Sequence, residues 1–300
     1  MRIGFIGVGN MGGPMAGHVI GAGHDVGVFD LQAELVDPLV GAGGRRAGSV
    51  AEAADGAEMV LLSLPRPSDV EDVVTGDDGL FATLGSGTAI IDLTTSSPTV
   101  SRELAAQGSE RGIAFLDAPV SGGVYGARKG TLAVMVGGPD DVFQTYEPVL
   151  QTFAAKVVRC GDVGAGNVVK VVNNMLAFIN MMGVTEALLL GARAGVDPAV
   201  LREVVQASSG ASYVWDSGTR AILRDRLAPS FTTTLGCKDI GLATDLAREL
   251  GVPVPMGERT ESLLTGYRDN GFADEDLLAT VRALEEQADF VVRGMAPDVG

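Results

Sequence analysis

The sequence predicts an α/β fold in which an N-terminal, doubly wound sheet is followed by an all-α domain, with a long helix joining the two. Three observations support this fold class. Short β-rich segments alternate with helical patterns in the first half, which is typical of a mostly parallel sheet. No strand pattern follows Gly161. The chain has 300 residues, more than one hydrophobic core usually supports, so we expect domains at residues 1–163 and 164–300.

Seven segments of the first half are predicted strands, each short and rich in aliphatic residues. In chain order they are IGFIG, DVGVFD, MVLLSLP, AIIDLT, AFLDAP, LAVMVGG and KVVRCG. Helical patterns lie between them. In one of these, Ser97, Pro98 and Gly108 predict the N-cap, the first residue and the end of the helix.

Helical patterns fill the second half of the chain. They cover residues 165–194, 198–207, 238–250, 255–270 and 274–293. The first has about 30 residues and, at about 1.5 Å per residue, predicts a helix about 45 Å long. A helix of this length can connect two closely apposed domains.

A glycine motif directly follows the first predicted strand. Gly7, Gly9 and Gly12 have the G-x-G-x-x-G spacing, with Asn10 and Met11 in the same loop. In a Rossmann domain the first glycine permits a tight turn, the second lets a pyrophosphate approach the backbone, and the third allows close helix–strand packing. The motif predicts a dinucleotide site at the start of a helix. An ordinary glycine-rich turn is the alternative, because the chain contains 42 glycines.

Asp30 ends the second predicted strand, eighteen residues after Gly12, and Leu31 follows it. A carboxylate at this point accepts hydrogen bonds from the adenosine ribose hydroxyls. Its charge opposes a 2′-phosphate, and no arginine occurs in DLQAE. The sequence therefore favours NAD over NADP. In the alternative interpretation, Asp30 only caps the next helix.

Other candidate cofactor residues lie where predicted strands end, because ligands bind at the carboxyl edge of an open α/β sheet. Leu64 and Pro65 end the MVLLSLP strand, and Thr94 and Thr95 end the AIIDLT strand. We expect Thr95 near the nicotinamide ribose. It could equally begin the turn before Ser97.

The triplet Ser121, Gly122 and Gly123 follows the AFLDAP strand. Backbone N–H groups and a hydroxyl, in a conformation that bulky side chains would block, suit a carboxylate. The triplet could also be a simple turn.

Five motifs, in this order, resemble those of the β-hydroxyacid dehydrogenase family: GFIGVGNMGGPMA, DLTTSSP, DAPVSGGVYGARKGTL, GNVVKVVNN and CKDIGLA. This family includes 3-hydroxyisobutyrate dehydrogenases, tartronate semialdehyde reductases and glyoxylate/succinic semialdehyde reductases. The resemblance covers the chain from Met1 to about Phe290. It implies a homodimer or homotetramer acting on a small carboxylic acid.

The resemblance also implies residue roles. Lys170 would be the catalytic residue, and Asn174 would assist at the substrate. The substrate carboxylate would be held by Ser121, Gly122 and Gly123, and Lys238 with Asp239 would border the nicotinamide and the substrate.

Elementary chemistry agrees with a catalytic Lys170. Reducing an aldehyde by hydride transfer leaves an alkoxide that must receive a proton from a nearby group. Arginine cannot change protonation state, whereas a buried lysine can. The histidines, His18 and His24, fall in the first helix and just before the second strand. Lys170 and Asn174 are four residues apart and so share one helix face. The alternative is a lysine that extends along a partly buried helix to solvent.

Several residues of the helical half are further candidates. Lys238 is expected to open a helix after TTTLGC and to act as a second cation, or else to pair with Asp239. Phe231, Tyr213 and Trp215 are expected near loops that could cover the cleft, with Phe231 at the substrate; Trp215 is more typical of a core. Cys237 is interpreted as a small buried residue rather than a nucleophile.

Composition excludes several function classes. The net charge of −16 repels nucleic acid and anionic membranes. Cys160 and Cys237 have no disulfide or metal-ligand spacing, so no metal site is expected and a cytoplasmic location fits best. There is no signal-peptide pattern. The longest apolar run is broken by Asn180, Glu186 and Arg193, so it is interpreted as too polar for a membrane span.

These observations predict an NAD-dependent oxidoreductase of a small 3-hydroxy acid, with 3-hydroxyisobutyrate as the first substrate to test. An NADP-dependent reductase of a glyoxylate, succinic or tartronate semialdehyde, or of an imine, is the alternative on the same fold. Lys170 argues against an imine reductase, since imine reductases of similar architecture generally replace that lysine. A non-catalytic nucleotide-binding module is a third interpretation.

Overall fold

The computed structural model describes residues 1–295. Within them, nine strands form a single sheet. Their bounds are β1 (Arg2–Ile6), β2 (Asp25–Phe29), β3 (Arg45–Arg46), β4 (Met59–Leu62), β5 (Ala89–Asp92), β6 (Ala114–Asp117), β7 (Val120–Ser121), β8 (Leu132–Gly137) and β9 (Ala154–Gly161). All seven predicted strands are present. Sequence patterns missed β3 and β7, because two residues are too few to show an alternation.

The sheet is mostly parallel, as predicted. Its strand order is β3-β2-β1-β4-β5-β6-β8-β7, and β9 pairs with β8. The antiparallel pairs are β6 with β8 and β7 with β8; the other pairs are parallel. The order reverses direction at β1, with β2 on one side and β4 on the other. This is where a doubly wound sheet opens a ligand crevice.

The central strands are buried on both faces, as a sheet covered by helices requires. On β4, Met59 and Leu61 join one hydrophobic cluster, whereas Val60 and Leu62 join another. All four side chains are 0% exposed. The alternation follows from the two-residue period of a strand, and it keeps the carboxyl ends of β1, β4 and β5 in fixed register.

The helices of residues 1–164 lie between these strands. They are α1 (Gly12–Gly21), α2 (Ala33–Gly41), α3 (Val50–Ala54), α4 (Pro67–Thr75), α5 (Leu80–Thr83), α6 (Pro98–Ser109), α7 (Gly123–Lys129) and α8 (Asp140–Leu150). The predicted start of α6 is confirmed, because the Ser97 side chain accepts a hydrogen bond from the Thr99 amide and Pro98 is the first helical residue. The helix ends at Ser109, one residue beyond the expected Gly108.

Helices make up the rest of the described chain. They are α9 (Ala165–Arg193), α10 (Pro198–Gln206), α11 (Tyr213–Leu223), α12 (Thr233–Leu250), α13 (Pro255–Tyr267) and α14 (Val281–Ala288). A π-helical turn (Arg268–Phe272) follows α13, and a 3-10 turn (Leu277–Thr280) precedes α14. The predicted all-helical second half is confirmed. By internal contacts the chain divides into one compact unit of residues 1–170 and a second that begins at Val171.

One expectation about this half is wrong. Lys238 does not open a helix, because the Thr232 hydroxyl accepts a hydrogen bond from the Leu235 amide and starts α12 at Thr233. Lys238 therefore lies in the second turn. Tyr213 and Trp215 lie in the first turn of α11, a helix that the sequence patterns did not predict and whose N-cap, Ser212, accepts a hydrogen bond from the Trp215 amide.

The longest apolar run, which forms α9, was expected to be too polar for a membrane span. Among the described residues one helix, α9, is long and apolar enough to cross a membrane by length and composition alone. Asn180, Glu186 and Arg193 therefore do not make this helix too polar for a span by composition alone. The core helix of a globular protein passes the same test. In α9, 39% of the most apolar window is buried.

Candidate functional site

The glycines in the loop between β1 and α1 are explained by two different constraints, backbone packing and open space for a ligand. Gly7 has φ +85°, and a Cβ there would lie 2.4 Å from the Ser63 carbonyl oxygen. A Cβ on Gly12 would lie 1.9 Å from the Gly7 carbonyl oxygen. The fold itself therefore demands glycine at both positions. A Cβ on Gly9 would meet nothing within 4 Å, so Gly9 leaves open space where the motif brings a pyrophosphate against the backbone.

Asp30 ties this loop to the end of β2. Its Oδ2 accepts a hydrogen bond from the Val8 amide at 2.8 Å, and its Oδ1 accepts one from the Gln32 amide at 2.9 Å. Gln32, not Asp30, is the N-cap residue of α2. Each carboxylate oxygen can accept a second hydrogen bond, so the group can still bind ribose hydroxyls. Leu31 beside it is 93% exposed.

The ends of β4 and β5 are linked by hydrogen bonds. The Leu64 amide donates to the Thr94 hydroxyl at 3.0 Å, and the Thr94 amide donates to Asp92 Oδ1 at 3.0 Å. Thr94 is buried, whereas Thr95 is partly exposed and Pro65 is exposed. Thr95 and Pro65 are thus accessible at the carboxyl edge of the sheet, while Thr94 is structural.

Ser121, Gly122 and Gly123 link β7 to α7. Gly122 has φ +130° and Gly123 has φ +62°, a region that favours glycine. Both glycines are exposed, and Ser121 is partly exposed. Ser121 is held in register by β8, where it pairs with Ala133. The triplet therefore presents a hydroxyl and backbone amides in a fixed conformation.

Lys170 lies near the start of α9 and is only 8% exposed. The first turn of this helix is held by Asp117, which ends β6. Asp117 Oδ1 accepts a hydrogen bond from the Gly164 amide and Oδ2 accepts one from the Asn167 amide, both at 2.7 Å. Burial raises the pKa of the Asp117 carboxyl above its ordinary value, against these two donors, which lower it. Sequence analysis did not single out Asp117 or Asn167.

A second group of predicted residues meets in the unit that begins at Val171. Asn174 Nδ2 donates to Asp239 Oδ2 at 2.7 Å, and Lys238 Nζ lies 2.8 Å from Asp239 Oδ1. Asn174 and Asp239 are 7% and 2% exposed. The alternative that Lys238 pairs with Asp239 is therefore what the structure contains. Asp239 fixes the amide of Asn174, whose Oδ1 also accepts a hydrogen bond from Asn173 at 3.2 Å.

The aromatic candidates differ in their surroundings. Phe231 is partly buried, and its ring centroid lies 6.0 Å from that of Phe178 on α9. Trp215 is 2% exposed and its indole N–H donates to the Arg202 carbonyl at 3.1 Å, so the prediction that it belongs to the core is confirmed. Tyr213 is 84% exposed.

Asp276 is a further residue that sequence analysis missed. Its Oδ2 accepts hydrogen bonds from the amide and the hydroxyl of Ser230, both at 2.9 Å. It thereby orders the segment that carries Phe231. An acid just before a 3-10 turn was the available signal, but nothing in the sequence linked it to Ser230, 46 residues away.

The described residues contain no group of three or more His, Cys, Asp or Glu side chains that could hold a metal ion. Cys160 and Cys237 are free thiols. Cys237 is buried, and burial raises the pKa of its thiol, which disfavours the nucleophilic thiolate. The interpretation of Cys237 as a small buried residue is confirmed.

Comparisons with known proteins give the family. The model of the NAD binding domain of 6-phosphogluconate dehydrogenase matches residues 2–161. The model described as NAD-binding of NADP-dependent 3-hydroxyisobutyrate dehydrogenase matches residues 164–284.

Individual proteins agree with these matches. A 3-hydroxyisobutyrate dehydrogenase of Pseudomonas aeruginosa is 42% identical over 88% of this chain and 91% of its own length. An NAD-dependent L-serine dehydrogenase of the same organism is 38% identical over 92% and 95%. The structure of a Mycobacterium tuberculosis 3-hydroxyisobutyrate dehydrogenase with L-serine superposes with a TM-score of 0.85, at 33% identity over 94% of this chain and 98% of that one.

Gly12, which packs against backbone, and Gly9, which faces open space, give a test of the dinucleotide site. We expect Gly12→Ala to lower the free energy of unfolding by about 1–3 kcal/mol, because its Cβ overlaps backbone. Gly9→Ala should unfold like the wild type but raise the Kd for NADH by about tenfold or more, roughly 1.4 kcal/mol. Urea unfolding and NADH fluorescence titration measure the two quantities. A Gly9→Ala variant that binds NADH normally would show that the loop does not carry the pyrophosphate.

Proposed function

The chain belongs to the β-hydroxyacid dehydrogenase family, and on that premise we propose that it is an NAD-dependent dehydrogenase whose substrate is 3-hydroxyisobutyrate. The observation that carries the proposal is the burial of Lys170 on a helix whose first turn is fixed by Asp117. Burying a lysine side chain costs folding free energy that an aliphatic residue would not cost, which favours a chemical use for this amine. Only a group that changes protonation state can serve a hydroxyl that loses or gains a proton.

The proposed chemistry divides the work among this chain's residues. The glycine loop and Asp30 would hold the dinucleotide, which would supply the acceptor for the hydride that leaves the hydroxyl-bearing carbon. Lys170, as the neutral amine, takes the hydroxyl proton, and the carbon–oxygen single bond becomes a carbonyl. Ser121, Gly122 and Gly123 hold the substrate carboxylate. In the reverse direction the Lys170 ammonium returns the proton to the oxygen.

Asn174 is proposed to contact the substrate through the one amide hydrogen that Asp239 does not occupy. Asp239 itself is almost fully buried; it already accepts a hydrogen bond from Asn174 and forms an ion pair with Lys238. We therefore propose that it positions these two side chains rather than binding the substrate directly. Phe231, held by the Asp276-ordered segment, contributes an apolar contact to the substrate.

The preference for NAD rests on Asp30 and its surroundings. The Asp30 carboxylate is fixed at the end of β2, and a 2′-phosphate there would meet like charge. The two arginines of the neighbouring β3 already have carboxylate partners, Arg45 with Asp25 and Arg46 with Asp37. Both arginines are therefore ion-paired in this structure.

L-Serine is a second candidate substrate, because a similar protein is an NAD-dependent L-serine dehydrogenase and another was crystallised with L-serine. It shares the carboxylate and the 3-hydroxyl with 3-hydroxyisobutyrate. An NADP-dependent reductase of glyoxylate, succinic or tartronate semialdehyde is the remaining alternative. A panel of these compounds ranks them by kcat/KM.

We expect kcat/KM for NAD to exceed that for NADP by about tenfold or more, about 1.4 kcal/mol of discrimination. Asp30→Ala should lower the ratio of kcat/KM for NAD to kcat/KM for NADP, because the carboxylate both binds the ribose and repels the 2′-phosphate. Steady-state absorbance at saturating 3-hydroxyisobutyrate measures both. Glu34→Ala, an exposed acid in the first turn of α2, is the matched control and should leave the ratio unchanged. A wild-type preference for NADP rejects the assignment.

Lys170→Ala should lower kcat by about 10²-fold or more and leave NADH affinity nearly unchanged. Lys170→Arg should be equally impaired, because arginine keeps the charge but cannot take the proton. In the wild type, the oxidation rate should climb from pH 7 to 9 as the amine loses its proton. Lys156→Ala, an exposed lysine on β9, is the control with normal turnover. A flat pH profile, or an active Lys170→Ala variant, excludes Lys170 as the base.

We propose a homodimer or homotetramer, because α9 has an exposed apolar face. Leu176 and Leu190 are 57% and 72% exposed, and the exposed residues Gly183 and Ala187 lie between them on the same side of the helix. We propose that a second copy of the chain covers this apolar face.

Light scattering coupled to size-exclusion chromatography should give a mass of two or four chains, since an apolar helix face of this length is costly in water. Leu190→Glu should reduce the mass toward one chain. Leu250→Glu, at an exposed position at the end of α12, should not. A wild-type mass of one chain contradicts the proposal.

A cytoplasmic location is proposed on the two free thiols, and cell fractionation would test it. The expectation that nucleic acid and membranes are not partners stays a prediction.

A further inference from the structure

Asn167 is a buried amide in the first turn of α9, three residues before Lys170. Its side chain is 0% exposed. Oδ1 accepts a hydrogen bond from the Ser96 amide at 2.9 Å, and Nδ2 donates to the Ser101 hydroxyl at 3.1 Å. Its own backbone amide donates to Asp117 at 2.7 Å. Asn167 thus connects α9 to two other elements of residues 1–170.

The partners of Asn167 belong to the segment that leaves the sheet after β5. Ser96 directly follows Thr95, the candidate contact for the nicotinamide ribose, and Ser101 lies in the first turn of α6. Ser96 and Ser101 are each 1% exposed. The Ser101 hydroxyl donates to the Ser97 carbonyl at 3.1 Å, so it is available to Asn167 as an acceptor. The contact therefore runs from the helix of Lys170 to the segment of Thr95.

An amide is the side chain that this position requires. It must offer an acceptor to the buried Ser96 N–H and a donor to the buried Ser101 oxygen at the same time. An aliphatic side chain would leave the buried Ser96 N–H without its acceptor and the Ser101 oxygen without its donor, which is costly in a buried setting. A carboxylate would lose the donor. Because both hydrogen bonds end on other elements, a small shift of α9 along its axis would break them together.

We propose that Asn167 is a positioning residue for hydride and proton transfer: it sets the register between Lys170 and the Thr95–Ser96 segment. This inference rests on the proposed function, in which Lys170 takes the substrate proton. One turn of helix separates the two residues, so a displacement at Asn167 passes to Lys170 with little loss. Misplacement of a reacting group by about 1 Å can slow the reaction about 10²-fold.

The test uses Asn167→Ala and Asn167→Leu, of which the second keeps the branching and the number of heavy atoms of the side chain. The readout is the single-turnover rate constant for NADH formation, with enzyme in excess over NAD and saturating 3-hydroxyisobutyrate, or L-serine if that is the better substrate. This rate constant does not depend on the fraction of enzyme that is folded. We expect it to fall by about tenfold to 10²-fold in both variants, with the Kd for NADH unchanged.

Thr185→Ala is the matched control. Thr185 is also a buried polar residue of α9, 1% exposed, and its hydroxyl donates within the helix to the Met181 and Met182 carbonyls. Its loss should lower the Tm but leave the single-turnover rate constant at the wild-type value. If the Asn167 variants react at the wild-type rate, or if Thr185→Ala slows the reaction as much, Asn167 has only a structural role.

Lys170→Ala, measured in parallel, distinguishes failure of the positioning role of Asn167 from failure of the proposed function. An inactive Lys170→Ala enzyme with normal Asn167 variants overturns only the positioning role. An active Lys170→Ala enzyme overturns the proposed function, and the role of Asn167 with it.

Discussion

The hydrogen bonds of the Asp117 carboxylate are the constraint on which the rest of the site depends. A fully buried carboxylate is costly unless its oxygens are paired, and here both accept from amides at the start of α9. Charge-assisted bonds of this kind are among the stronger ones in proteins, and a negative group at a helix N-terminus is also favoured by the helix dipole. The position of Lys170 follows from this contact, since it lies one turn further along the same helix.

The surrounding sequence makes room for that carboxylate. A Cβ on Gly137 would lie 2.3 Å from Asp117 Oδ1, and one on Gly166 would lie 2.9 Å from Oδ2 and 2.2 Å from the Met135 carbonyl oxygen. Glycine at these two positions allows the end of β6, the end of β8 and the start of α9 to approach closely. The local sequence around Lys170 is thus shaped by a residue more than fifty positions earlier.

The fold was predictable from the sequence because its signals are local. The alternation of strands and helices, the glycine loop after β1, and the caps at Ser97 and Pro98 all depend on neighbouring residues. Elements of two residues, β3 and β7, carry no periodic signal. The start of α12 was placed too late because its first turn, TTLG, has no charged residue and contains two β-branched threonines and a glycine, and only the capping hydroxyl of Thr232 marks it. The Gly218 within α11 similarly weakened its helical pattern.

The candidate site was predictable only in its motifs. Residue type and spacing pointed to Lys170, Asn174 and the glycine loop, whose roles remain proposals. The residues that hold them were not predictable, because Asp117, Asn167 and Asp276 act over separations of 46 to 71 positions. Lys238 and Asp239 were open to two interpretations, since adjacent residues on a helix can pair or diverge. Side-chain geometry decides between them, and a sequence does not contain it.

The double duty of Asp30 limits how this protein could be redesigned or could evolve. Its carboxylate links the loop after β1 to the end of β2 by hydrogen bonds, and it is also the residue proposed to distinguish NAD from NADP. A change made to admit a phosphorylated coenzyme would also loosen the loop that receives it. A successful switch would need a replacement that still accepts from Val8 and Gln32, together with a cation introduced elsewhere. Conversion in a single substitution is therefore disfavoured, and drift between the two coenzymes should pass through weakly active intermediates.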